Sequence, residues 1–365
     1  MGLLYAHSLD TIDPLKVARS FAQFGRQFAQ DRDKLPQTDA DRAFHLVAKA
    51  TSLIDYQLPF ADDVTAQKLI DQAHSTLEEA LKLDPRNPDA LRMERASQIP
   101  SFEGYYDFLR EGKDAARAAC MERAEMAGAT YDGERKGLAH FLAMAPYLRW
   151  LAALAAKAIV CGHNHAALEY CDELLGLDPS DQADACFSAA IAYAKLEDEQ
   201  GLKDLLVRTK SPCAKASDAR NAWLLLAFCA LAYKRCDFDE ASLLVDRLCQ
   251  NYPHAAITLY MQKELPDGVF ARLAVPPFSE DELILAVSEG TVLLQEGRDA
   301  SARGSFGAWM LHQADKRLTT RERLQLHDYM AQEMEQGNGI PGSRPNGASG
   351  PGEDENGTLP SGGQN

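Results

Sequence analysis

The sequence predicts an all-α protein built as an array of antiparallel helix pairs, and three observations point there. Helix-forming residues dominate, while β-branched or aromatic clusters at strand spacing are scarce. Similar two-helix units begin near Leu148, Ala183 and Ala222, 35 and then 39 residues apart. A hydrophobic share of 46% in 365 residues supplies enough apolar surface for a continuous core through such an array.

In chain order, Asp13-Pro14 opens a first helix with an acidic N-cap and proline at its first position. Val17, Phe21, Phe24 and Phe28 recur on one face of it. After Pro36 a second helix starts near Asp39, with Phe44, Val47, Ala48, Thr51 and Ile54 on its expected apolar side, and Pro59 ends it. A degenerate repeat is expected at about 65–100, where Ala73, Leu77 and Ala80 precede the turn Asp84-Pro85-Arg86-Asn87. From Phe102 to Ala145 the chain reads as two helices broken between Gly128 and Gly133, either a degenerate repeat or an inserted hairpin.

The clearest units follow. Leu151, Leu154, Ala155 and Ala158 line one helix, Gly162 makes the turn, and Ala167, Cys171 and Leu174 line its partner up to Pro179. The next carries Ala189, Ala190, Tyr193, Leu202 and Leu206, then a loop insertion near 210–218. The third carries Leu225, Phe228, Cys229 and Ala232, then Ala241, Val245 and Leu248 up to Pro253. The expected organisation is an N-terminal helical region over 1–146, repeats over 147–253, a helical cap over 254–336 and a disordered tail over 337–365. That tail holds nine glycines and four prolines, with too few apolar side chains to offset the entropy of ordering.

The run Ala73-x-x-x-Leu77-x-x-Ala80-x-x-x-x-Pro85 and the units of 148–253 resemble the tetratricopeptide family. The resemblance implies a right-handed superhelical α-solenoid that binds peptides or protein surfaces on its concave face. Tyr147-Leu148-Arg149, Asn251-Tyr252-Pro253-His254 and Tyr260-Met261-x-Lys263 are also similar to the suppressor-of-tumorigenicity family of helical-repeat proteins, over about 147–294. Members of that family can be membrane proteins, whereas Leu138–Cys161, the most apolar stretch here, carries His140, Arg149 and Lys157 and reads as a core helix.

On the tetratricopeptide frame, the groove positions point to Arg149, Phe187, Lys195, Trp223, Tyr233 and Lys234 as partner-binding residues. Mixed aromatic and basic surface would suit an amphipathic or acidic-ended segment. The competing reading is that Phe187, Trp223 and Leu226 pack against a neighbouring helix or the C-terminal cap. Positions at which chaperone-binding members hold a peptide carboxylate read Ala152, Ala156, Ser188, Trp223 and Ala227, so that clamp is not expected.

A net charge of −16, with no clustered basic face, argues against nucleic-acid binding. No secretory signal or myristoylation pattern is expected at the N-terminus, since Ala6 stands where Ser or Thr is required. Eight cysteines without a C-x-x-C pair read as buried reduced thiols, and the protein as cytoplasmic. Cys161, His163 and His165 share a turn but lack a fourth metal ligand. Gly337-x-Gly339-x-x-Gly342 follows a helix rather than a strand, and Gly112-Lys113 lacks the rest of a phosphate loop. Neither metal nor cofactor is expected. The function expected is a non-catalytic protein-interaction scaffold with a protein or peptide partner. The alternatives are a small-ligand sensor or enzyme built on helical hairpins, or a self-associating structural protein.

Overall fold

Among the described residues of the computed structural model (38–58, 61, 63–130, 132–209, 221–263, 265, 275–297 and 303–337), every regular element is helical. The expected first helix, the loop near 210–218 and all of the tail beyond Gly337 lie outside them. The chain divides into two compact units, residues 1–318 and 319–365.

Helix α1, Asp39–Thr51, starts at a capping box in which the Thr38 hydroxyl accepts from the Asp41 amide and the Asp41 carboxylate accepts from the Thr38 amide. Its buried face is Ala43, Val47 and Ala50, one register step from the face expected, and Phe44 is half exposed. Small residues let the neighbouring backbone approach, which turns the bulkier phenylalanine outward. A π-helical turn, Ser52–Gln57, follows. Helix α2, Asp63–Leu83, buries Ala73, Leu77 and Ala80. Asn87 caps α3, Pro88–Gln98, with proline at its first position. These three helices share a small core of Ala43, Val47, Ala50, Leu77, Ala80 and Ala90.

Two long helices come next, α4, Phe102–Thr130, and α5, Gly133–Val160. The break between them falls where the glycines predict it. Helix α5 runs unbroken through Pro146 and Leu148, so the boundary drawn at 146/147 lies within one helix. Its segment Ala139–Val160 is long and apolar enough to cross a membrane, but 61% of its apolar window is buried inside the fold.

Among the described residues, five further helices build on this hairpin. Gly162, at φ +85°, turns the chain into α6, Asn164–Leu177. Asp181 accepts from the Ala185 and Cys186 amides at 2.6 and 3.1 Å and so satisfies the start of α7, Ala185–Leu196. Asp198 caps α8, Glu199–Arg208. Asn221 caps α9, Ala222–Lys234, and Asp237 caps α10, Phe238–Asn251. Helices α5, α7 and α9 pack on one another in sequence, and each packs on its own hairpin partner.

The chain then returns over α9. After α11, Ala255–Tyr260, come α12, Glu280–Glu289, the short α13, Thr291–Leu294, and α14, Ser305–Arg317. Helix α12 packs on α9, α13 on α7, and α14 on α10 and α11. The second unit begins with α15, Thr320–Gly337, which the Thr319 and Glu322 side chains cap reciprocally.

Cys120, Cys161, Cys229 and Cys236 are reduced thiols. Cys186 is disulfide-bonded instead, so the expectation of reduced thiols throughout fails at that position.

Gly112 shows how closely α4 and α5 approach. A Cβ there would sit 2.6 Å from Cζ2 of Trp150, whose indole is pinned by a 2.8 Å bond from Nε1 to the Leu109 carbonyl. Gly112→Ala should therefore lower stability in urea. The overpacking penalty of about 1–3 kcal/mol exceeds the gain of up to about 1 kcal/mol in helix propensity. Gly137→Ala, also in this hairpin but with nothing within 4 Å, should show that gain alone.

Candidate functional site

The six residues expected to face a partner fall into two groups. Five of them meet the chain's own C-terminal segment or one another. Phe187 of α7 and Trp223 of α9 stack with ring centroids 4.5 Å apart and an interplanar angle of 1°. Trp223 is 5% exposed, and its Nε1 donates to Glu289 Oε2 at 2.6 Å, at the end of α12. Lys195, near the end of α7, donates to the Val292 carbonyl at 3.3 Å and pairs with Glu296 at 3.2 Å. Lys234, the last residue of α9, pairs with the same carboxylate at 2.8 Å and donates to the Ala194 carbonyl at 3.2 Å. Tyr233 packs among Phe238, Phe306 and Trp309, with centroids 5.7, 5.2 and 5.4 Å away.

Two lysines from consecutive helix pairs thus converge on one carboxylate. Burial works against ionisation of Glu296, but Lys234 and Lys195 outweigh it and hold the carboxyl below its ordinary range. The α7–α9 part of the expected groove is therefore filled from within the chain by Glu289, Val292, Glu296, Phe306 and Trp309, and Trp223 is out of solvent.

Arg149 stands apart. Its Nε lies 3.0 Å from each oxygen of Asp89 on α3, and Nη2 also bonds Oδ2. Arg92 adds a contact at 3.5 Å. Burial of Asp89 favours the neutral acid, yet the two arginines override it and lower its pKa below the ordinary 3.8. Desolvation likewise opposes the charge on Arg149, and the Asp89 carboxylate reverses that effect. The Arg149 side chain keeps 47% of its exposure, and Nη1 lies outside the fork that grips Asp89.

The turn holding Cys161, His163 and His165 acquires a neighbour that sequence reasoning missed. Glu103, 60 residues upstream, lies 2.9 Å from His163 Nε2, and Tyr106 stacks on the imidazole at 4.7 Å. Burial and then Glu103 push the Cys161 thiol up to about 11, which leaves it a poor nucleophile at neutral pH. Among the described residues, no group of three or more His, Cys, Asp or Glu side chains is placed to hold a metal. An open depression of about 510 Å³ lies at the end of the α4–α5 hairpin, lined by Met121, Glu125, Lys136 and His140 among others.

Asp89, Glu289 and Glu296 are the other partners missed from sequence. Apart from the i,i+3 contact of Asp89 with Arg92, they lie 60 to 101 residues from the cations or indole they meet, beyond any local pattern. No family model, curated protein or solved structure matches the chain.

Arg149→Ala should cost about 3 kcal/mol, since it strips the main partner from a carboxylate that is 3% exposed. The Asp89 pKa is depressed on folding, so the contribution of the pair is present above pH 3.8 and fades as pH falls through the folded value. Urea titrations of both proteins should show the gap narrowing only in that acid range.

Proposed function

We propose that this chain is a non-catalytic protein-interaction scaffold, a solenoid of the tetratricopeptide type whose inner face binds a segment of another protein. The observation that carries this reading is the stacking order. Helices α5, α7 and α9 lie in a row, each backed by a second helix, which is how repeat proteins generate an extended binding surface. The reading differs in one respect from the frame-based expectation. Glu289, Val292, Glu296, Phe306 and Trp309 already engage Lys195, Trp223, Tyr233 and Lys234, and Phe187 stacks on Trp223, so the partner surface is the part of the row that these residues leave open, centred on α5.

The α5 face suits that role. Leu142, Ala145, Arg149 and Ala152 recur at helical spacing, and all retain exposure while Leu151 and Leu154 on the opposite side are buried. An arginine set in apolar surface is a common interface anchor.

Affinity capture from native lysate, followed by hydrogen exchange on the recovered complex, tests the proposal. The expected result is a retained partner whose binding slows exchange within 142–157 and at the start of α7. Protection confined to α6, α8 and α10, or no retained partner, would contradict it.

A further inference from the structure

The helices that form the row carry an unusual charge pattern. Across Ala139–Val160, α7 and α9 there are four Lys or Arg residues, Arg149, Lys157, Lys195 and Lys234, and no Asp or Glu, in a chain of net charge −16. Two of the four, Lys195 and Lys234, are matched by Glu296 from the chain's own segment. At the opposite end of α9 from Lys234, the Trp223 indole donates to Glu289. The occupant of the α7–α9 end is thus a helical segment presenting Leu283, Val287, Leu293 and Leu294 to the core and two carboxylates to the row.

From this we infer that the α5 end of the row takes the same kind of ligand in trans: an acidic amphipathic helix of the partner, with a carboxylate on Arg149. The inference rests on the scaffold reading and specifies the partner's chemistry. Continuity supports it, because α5 abuts α7, the next helix of the row, and Ala139–Val160 of α5 is as free of acids as α7. Charge supports it, because Arg149 and Lys157 stand on α5 with no acid over Ala139–Val160, and Asp89 neutralises only part of the local positive charge from Arg149 and Arg92. Preorganisation supports it as well. The Asp89 carboxylate fixes the guanidinium by Nε and Nη2 and leaves the Nη1 edge to receive an incoming carboxylate without loss of rotamer freedom. The exposed positions from Leu142 to Ala152 span about 15 Å at the helical rise, enough for about three turns of a docked helix.

The probe is a fluorescein-labelled synthetic helix of about 18 residues, leucine on one face and glutamate on the other, compared with a version carrying lysine for every glutamate. Anisotropy titrations use the full chain. The glutamate peptide should bind at least about tenfold more tightly than the lysine peptide. The double variant Leu142→Glu/Ala152→Glu leaves the Arg149–Asp89 pair in place and should weaken binding by at least about tenfold. Leu243→Glu, at a 60% exposed position on α10, should leave it unchanged. Thermal melts establish that each variant is folded, and Leu142→Glu alone, at a half-exposed position, replaces the double variant if Ala152→Glu unfolds the chain. Equal binding of the two peptides, binding undiminished by the α5 substitutions, or no binding of the glutamate peptide each overturns the inference. A partner captured from lysate with protection at α5 would still leave the scaffold reading standing in those cases, so the two failures are distinguishable.

Discussion

A helix that is apolar on every side has to be covered on every side, and α9 imposes that constraint on this fold. Every residue from Ala222 to Ala232 is buried. Burying Leu224, Leu225 and Leu231 stabilises the fold by roughly 1.5–3 kcal/mol each, a gain lost wherever water reaches the helix. Helices α7 and α10 cover two sides, and α12 covers a third. The return of the chain over its own row of helices follows from this need rather than from any feature of the C-terminal segment alone. Helix α7 is nearly as apolar, with nine buried residues of its twelve, and it draws α13 over itself in the same way.

Covering such helices brings polar groups into the interior, and each is met by a partner. The Trp223 indole donates to Glu289, the two lysines that end α7 and α9 share Glu296, and Arg149 grips Asp89. An isolated buried carboxylate would cost several kcal/mol and would take up a proton instead. Here the cations outweigh desolvation, so Asp89 and Glu296 are both held more acidic than free carboxylates. The Glu289 and Glu296 contacts hold the returning segment against the row, and the Asp89 contact holds α3 against α5. They also account for the scarcity of acids on the helices they join, since an acid on α7 or α9 would repel Glu289 or Glu296.

Much of the helical framework was legible from residues alone. The Gly128–Gly133 break, the turn at Gly162, the helix pair between Ala222 and Pro253 and the packing of Ala73, Leu77 and Ala80 all follow from local chemistry. The α1 register was misread because Phe44 was given more weight than the small residues Ala43 and Ala50, and a closely packed face is set by what fits. The groove was misplaced for a related reason. The frame assigns Trp223 and its neighbours to an open surface, but the stretch Ala-Trp-Leu-Leu-Leu-Ala-Phe-Cys-Ala-Leu-Ala at 222–232 has no polar face to present to water. That signal was in the sequence and outranked the frame. The competing reading already named the C-terminal cap as cover for Trp223, but not which carboxylates it would bring, because Glu289 and Glu296 lie 62 or more residues from the groups they meet, and no periodicity spans that distance.

The central claim, that α9 is sheathed by the chain's own residues 280–289, is tested most directly by native-state hydrogen exchange across a urea series. If α12 is an integral wall around α9, the amides of 283–289 and of 224–232 exchange only with global unfolding and share its free energy and denaturant slope. Exchange of 283–289 through a low-energy opening that leaves α9 protected would show that the segment is a detachable flap, and would contradict the account.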